Sequence, residues 1–151
     1  MAIGTDDVIH KFGTQDTLGT SSSAVSDGSF SVAGDLSTWT NDDDAVMAQV
    51  ILEANFSVAP DASSYANLYL RLLNIESTND ADVPDGNFAH VFVGAFPLNN
   101  VTTAQYCPIT IPLPNTKTSQ EYEFYVENLS GQSLPAGWDI HVTPVSYGPH
   151  A

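Results

Sequence analysis

Between Ala45 and Val58, in AVMAQVILEANFSV, every even position is apolar: Val46, Ala48, Val50, Leu52, Ala54, Phe56 and Val58. The odd positions after Met47 are polar except Ile51. Such alternation sends successive side chains to opposite faces of an extended chain, one face dry and the other largely wet. As one strand the stretch would run about 45 Å at roughly 3.3 Å per residue, far beyond an ordinary strand. A bend, a bulge or a crossing between sheets is therefore expected within it.

The same period recurs downstream. Ala66, Leu68, Leu70 and Leu72 share one parity of ANLYLRLLNI, with Tyr69 and Arg71 on the other. Phe88 to Leu98 is nearly continuous in apolar residues, as expected for a strand covered on both faces, with a bulge near Gly94. Gln105 to Leu113 places Cys107, Ile109, Ile111 and Leu113 on one parity and Pro108 and Pro112 on the other, the pattern of an edge strand. EYEFYVEN and WDIHVTPV turn Tyr122, Phe124, Val126, Trp138, Ile140 and Val142 inward, and they read as a hairpin with a long connection. Phe30 to Val32 and Leu36 to Trp39 are shorter strand candidates. With no amphipathic helix and with loops rich in Gly, Pro, Asn and Asp, the chain reads as all-β, an antiparallel β-sandwich of jelly-roll type.

Residues 1–36 differ in composition, being rich in Ser, Thr, Gly and Asp and poor in large apolar groups. They read as an extended N-terminal arm ahead of a single sandwich domain at 37–151. Val8, Ile9 and Phe12 have no evident place in a local core, so they are the candidate assembly contacts of that arm.

Eighteen acidic side chains stand against Lys11, Arg71 and Lys117, for a formal net charge of −15. Three scattered cations make no basic stripe, so neither nucleic acid nor an anionic membrane is expected as a partner. No apolar run approaches the ~20 residues of a membrane helix, and no secretory signal is read at the first residues. Asn55, Asn100 and Asn128 open glycosylation tripeptides, which count as chance matches on that reading. A single cysteine, Cys107, sits on an apolar parity and reads as a buried, inert thiol.

Chemistry has few footholds. The aspartates at 42–44 and at 80, 82 and 85 suit calcium by type, but setting Gly86 at the sixth position of a calcium-hand loop puts Ala81, Val83 and Phe92 at ligand positions. Turn aspartates bonding nearby backbone are the preferred reading. Glu121 and Glu123 share a strand face at roughly 7 Å, a spacing an inverting glycosidase can use. Three glutamates on one face (Glu127 is the third) more simply mark the wet side. His90 falls on a core parity, and His141 faces outward beside Asp139. Tyr65, Tyr69, Tyr125 and Trp39 are candidates for a sugar-stacking platform. No HExxH or GxSxG pattern occurs, so no enzyme activity, cofactor or metal is expected.

Residues 12–40, within KFGTQDTLGTSSSAVSDGSFSVAGDLSTWTNDDDA, and the ending EYEFYVENLSGQSLPAGWDIHVTPVSYGPHA resemble the small virion proteins of tailed bacteriophages. The resemblance is nearest to capsid decoration (cement) proteins. It implies a small β-sandwich on the outer capsid surface of the virion, bound to the major capsid protein and to itself as a homotrimer, with an arm reaching its neighbours. No catalytic residue is carried over. The alternative is a carbohydrate- or receptor-binding β-sandwich module of a phage tail or fibre.

Overall fold

A computed structural model describes residues 8–76, 79–87 and 91–149. They form strands β1 (Val8–Phe12), β2 (Asp16–Thr20), β3 (Ser29–Phe30), β4 (Trp39–Asn41) and β5 (Met47–Ala54). After these come β6 (Tyr65–Leu73), β7 (Phe92–Pro97), β8 (Gln105–Pro112), β9 (Gln120–Leu129) and β10 (Asp139–Pro149). All pairings are antiparallel. Sheet I has the order β1-β10-β5-β8, with β2 also on β10; sheet II has the order β3-β9-β6-β7, with β4 also on β9. Taking β1 with β2 and β3 with β4 as interrupted single strands, this is the nested order of a jelly roll.

The parities read from sequence set the core. Ala48, Val50, Leu52 and Ala54 of β5, with Ile140 and Val142 beside them on β10, join Leu68, Leu70, Tyr122, Phe124 and Val126 of sheet II and Trp138 in one buried cluster. Each large side chain there contributes about 1.5–3 kcal/mol by leaving water. Cys107 and Ile111 line the same core from β8, whose prolines lie on the opposite parity of an edge strand.

Four expectations are corrected. The long alternating stretch is not one strand: β5 spans only Met47–Ala54, and Val46 and Val58 are 48% and 59% exposed. The Asn41 side chain brackets the backbone of Ala45 from both sides, accepting from its N–H and donating to its C=O, and so fixes a turn before the strand. Phe56 tucks into the core beyond the strand's end. The supposed hairpin is also not one, because β9 lies in sheet II and β10 in sheet I. Its long connection crosses the sandwich, the step alternation alone cannot reveal. The run at Phe88 to Leu98 yields β7 at an edge, with Phe92 exposed rather than covered on both faces. The bulge near Gly94 is present: Leu68 pairs with Gly94 and Tyr69 with Phe92, leaving Val93 unpaired.

The fourth correction concerns the arm. Residues 8–36 are woven into both sheets, and the boundary expected at residue 36 has no counterpart in the packing. Leu18, Val25 and Leu36 belong to the core. The many small polar residues between them are satisfied by backbone. Ser21 N donates to Trp138 O, and Val25 exchanges both hydrogen bonds with Leu134. Ser31 N donates to Val126 O while Ser31 Oγ accepts from Val126 N. The buried Asn128 amide donates to the carbonyls of Val25 and Gln132. The segment is held by hydrogen bonds as much as by apolar burial, and composition registers only the latter.

Between β1 and β2 the edge breaks at Gly13, opposite Pro144 of the central strand β10. Gly13 N donates to Pro144 O, so Pro144 turns its N, which carries no hydrogen, toward the same break. A Cβ at Gly13 would press on the Asp43 carboxylate and lie 2.6 Å from the Pro144 ring, so only glycine fits.

Candidate functional site

The odd positions of β5 and β10 and the even positions of β1 and β8 face outward on sheet I. At one end the registers align Phe12, Val145, Met47 and Pro112 in a row across four strands, with His10 beside Tyr147 in the next. The Tyr147 ring meets His10 edge-on at 4.8 Å, and its hydroxyl donates to Met47 Sδ at 3.4 Å. These contacts leave a shallow groove of about 210 Å³ lined by His10, Phe12, Met47, Gln49, Thr110 and Val145. Phe12 is 64% exposed at its rim, and Tyr147 is exposed too. No Asp or Glu lines the groove.

The other end of this face is polar. Thr17 Oγ1 lies 2.9 Å from His141 Nδ1, His141 Nε2 lies 3.1 Å from Glu53 Oε2, and the Tyr106 hydroxyl donates to Glu53 Oε1 at 3.0 Å. The order hydroxyl–imidazole–carboxylate is that of a nucleophilic triad, but it runs flat along the sheet and ends on a tyrosine. Asp139 stands opposite Glu53 in register. Burial raises the Asp139 carboxyl above the usual range, against the N–H of Ile140 that lowers it, and the Glu53 charge raises it further.

On sheet II the outward residues form a carboxylate ladder. Glu121 is held by the Asn74 amide and by Lys117 at 3.7 Å. Glu123 accepts from Arg71 Nη1 and from the Tyr125 hydroxyl, each at 2.8 Å. Glu127 accepts from Asn67 Nδ2 at 2.8 Å and from the Tyr69 hydroxyl at 2.9 Å. Burial works to lower the Arg71 guanidinium, and the Glu123 carboxylate outweighs it, leaving Arg71 above its ordinary value. Burial and Glu127 together raise the Tyr69 phenol, and burial with Glu123 raises Tyr125. The glutamates sit on the outer side as read from sequence, and each is tied to neighbours of the same sheet or loop.

Of the four ring candidates, Tyr65, Tyr69 and Tyr125 do share this outer face. Tyr69 lies between Phe30 at 5.2 Å and Phe92 at 5.7 Å, and Tyr125 is buried. Trp39 is elsewhere: it stacks on Tyr122 in the core at 5.8 Å and donates its indole N–H to Asp16. Burial pushes the Tyr122 phenol up to about 12.

The remaining candidates have structural surroundings. Asp85 and Asp80 accept from the backbone N–H of Asn87 and Asn74, within their own loop as read from sequence, whereas Asp44 accepts from the distant Ser119 N–H and ties two loops together. Among the described residues no three His, Cys, Asp or Glu side chains converge in a way that could hold a metal. Cys107 is buried, and burial pushes its thiol up. Asn128 is buried, out of reach of a glycosyl carrier in the folded chain. His90 lies outside the described residues. Of the assembly candidates, Val8, Ile9 and Phe12 lie on β1, with Phe12 at the groove. The groove itself draws on four strands whose order the sequence leaves open, and the Thr17–His141–Glu53 chain on three; no local pattern announces either.

No protein-family model matches the chain, and no curated protein matches it. It is similar to a solved structure described as a carbohydrate-binding module from the β-sandwich super family, at 12% identity over 96% of this chain, with a TM-score of 0.38. The chain spans 58% of that structure's length.

Proposed function

We propose that this chain is a structural component of a bacteriophage virion that attaches to the outer capsid surface through sheet I, as a capsid decoration protein. The supporting observation is the groove end of that sheet: exposed Phe12 and Tyr147 beside Met47 and Val145, with no carboxylate, on a chain of net charge −15. Aromatic and thioether groups without charge are what the centre of a protein–protein contact favours. The acidic remainder keeps closely spaced copies soluble and apart from packaged nucleic acid. The phage assignment draws on the resemblance of residues 12–40 and of the ending, which also implies the major capsid protein as partner and a homotrimer.

The test is addition of the purified chain to particles lacking it, followed by sedimentation and a map of the loaded particle. Copy numbers near that of the major capsid protein, with sheet I against the shell, are expected. Loss of binding in Gln49→Glu, which sets a charge in the groove, is expected as well. Particles that take up none of the chain would refute the reading.

A second reading, a glycan-binding module of a tail or fibre, is favoured by the exposed rings of Tyr65 and Phe92 on the outer side of sheet II, with Phe92 opposite Tyr69. Millimolar or tighter glycan binding lost in Tyr65→Ala, with only a few copies per particle, would support it over decoration.

A further inference from the structure

The outer face of sheet II repeats one arrangement, complete at one rung and short of a cation at another. At the first, Glu123 stands opposite Arg71 in register, and its Oε2 accepts from Arg71 Nη1 and from the Tyr125 hydroxyl, each at 2.8 Å. At the second, Glu127 stands opposite Asn67, and its Oε2 accepts from Asn67 Nδ2 at 2.8 Å and from the Tyr69 hydroxyl at 2.9 Å. Each glutamate has a cross-strand partner and a tyrosine hydroxyl, but where Glu123 meets a guanidinium, Glu127 meets a neutral amide. Glu121 pairs with Lys117, and Glu53 with His141. Among the described residues no Lys, Arg or His lies within ion-pair reach of Glu127, and its Oε1 accepts no hydrogen bond.

The surroundings of Glu127 are aromatic. Phe30 of β3 is its partner in register, and the Phe30, Tyr69 and Phe92 rings run in a chain across the sheet at centroid spacings of 5.2 and 5.7 Å. Phe30 is half-buried and Phe92 is exposed, as is Tyr65 two positions before Asn67 on β6. Ala95, opposite Asn67 on β7, keeps the row between these rings low. Aromatic faces are electron-rich and attract cations, and a carboxylate beside them adds a full negative charge.

We infer that this face docks an arginine side chain of a partner protein, its guanidinium donating to Glu127 Oε1 and lying against the Phe30–Tyr69–Phe92 rings. Charge complementarity selects a cation, since a neutral or anionic occupant leaves Glu127 without its counter-charge. The rings select guanidinium over ammonium, because the planar, weakly hydrated group stacks on an aromatic face while the ammonium holds its water. The Arg71–Glu123 rung is the chain's own example of the pairing. A formal net charge of −15 also steers a basic partner toward the chain from a distance. The inference goes beyond attachment through sheet I, because it uses the opposite face of the sandwich. A body seated by sheet I presents sheet II to a second protein, and either contact can fail without the other.

The probe is a capped Gly-Gly-Arg-Gly-Gly peptide, titrated to about 20 mM into the isotope-labelled full-length chain at about 150 mM NaCl and followed by amide chemical shifts. Saturable shifts centred on Phe30, Asn67, Tyr69, Phe92 and Glu127 are expected. Binding should weaken about threefold with lysine in place of the arginine and vanish with citrulline, its neutral isostere. Glu127→Gln, which keeps an acceptor for Asn67 and Tyr69, should weaken binding about tenfold. Phe92→Ala, at an exposed ring, should weaken it about threefold. Asp42→Asn removes the same charge in the turn after β4 and should leave binding unchanged. Absence of any shift, shifts scattered over the acidic surface, equal binding of the lysine or citrulline peptide, or equal effects of Asp42→Asn and Glu127→Gln would each overturn the inference. So would a response of the same amides to cellohexaose but not to the arginine peptide, which favours the glycan reading instead.

Discussion

Leu18 separates the woven N-terminal segment from a detachable arm. It lies on β2 in a run of Ser, Thr, Gly and Asp, yet only 3% of its surface is exposed and it packs in the cluster containing Trp138 and Val25. Truncating Leu18→Ala removes the transfer free energy of three carbons and leaves a cavity beneath β2, a loss of about 2–5 kcal/mol. Taking ~3 kcal/mol and the usual 2–4 °C per kcal/mol for a chain of this size, the melting temperature should fall by roughly 6–12 °C. Urea unfolding followed by tryptophan fluorescence suits the measurement, since Trp39 and Trp138 are both buried and report the core. Phe12→Ala is the internal control: the same segment, a larger side chain, 64% exposed, and an expected change within about 0.5 kcal/mol. A Leu18→Ala loss as small as that of Phe12→Ala would refute the integration of residues 8–36 into the sandwich.

Other outcomes follow from the same contacts. Asp139→Asn, which relieves a buried carboxylate facing Glu53, should stabilise the protein at pH 7 by a few tenths to about 1 kcal/mol in urea titrations. A raised folded-state pKa means the folded chain holds that proton more tightly, so the wild type recovers the deficit as pH falls through the raised value. The advantage of the variant should therefore shrink on acidification and close below about pH 4, the unfolded Asp value. Gly13→Ala should cost about 1–3 kcal/mol, because the new methyl meets both the Asp43 carboxylate and the Pro144 ring; a neutral result would show that the β1–β2 break is loose. Cys107 should react with a thiol reagent at the rate of global unfolding, and reaction faster than unfolding would contradict its burial.

Parity was legible; partnership was not. The inward sets of β5, β6, β8, β9 and β10 follow from period two, and so does the shared outer face of Tyr65, Tyr69 and Tyr125, since Tyr69 and Tyr125 sit in register. Trp39 escaped that grouping because its own strand turns it toward Tyr122. Alternation does not say which sheet a strand joins, so β9 and β10 looked like neighbours when they face each other across the core. The Ser-rich opening looked loose because its anchors are Ser21, Ser31 and the Asn128 amide, whose contribution depends on backbone groups about a hundred residues away. The sheet I groove was hidden for the same reason: Phe12, Val145, Met47 and Thr110 are assembled by strand order.

The pairing of β1 and β2 with β10 has a consequence for synthesis. The strand that covers Leu18 and joins Phe12 to Val145 is the last of the ten to leave the ribosome, so the opening strands wait for nearly the whole chain before they have a partner. Folding is then governed by loop closure over long separations, which is slow, and the nascent chain spends that interval with its apolar strand faces uncovered. A surplus of carboxylates repels neighbouring nascent chains during that interval. The negative charge thus protects the protein before it has a fold as well as after.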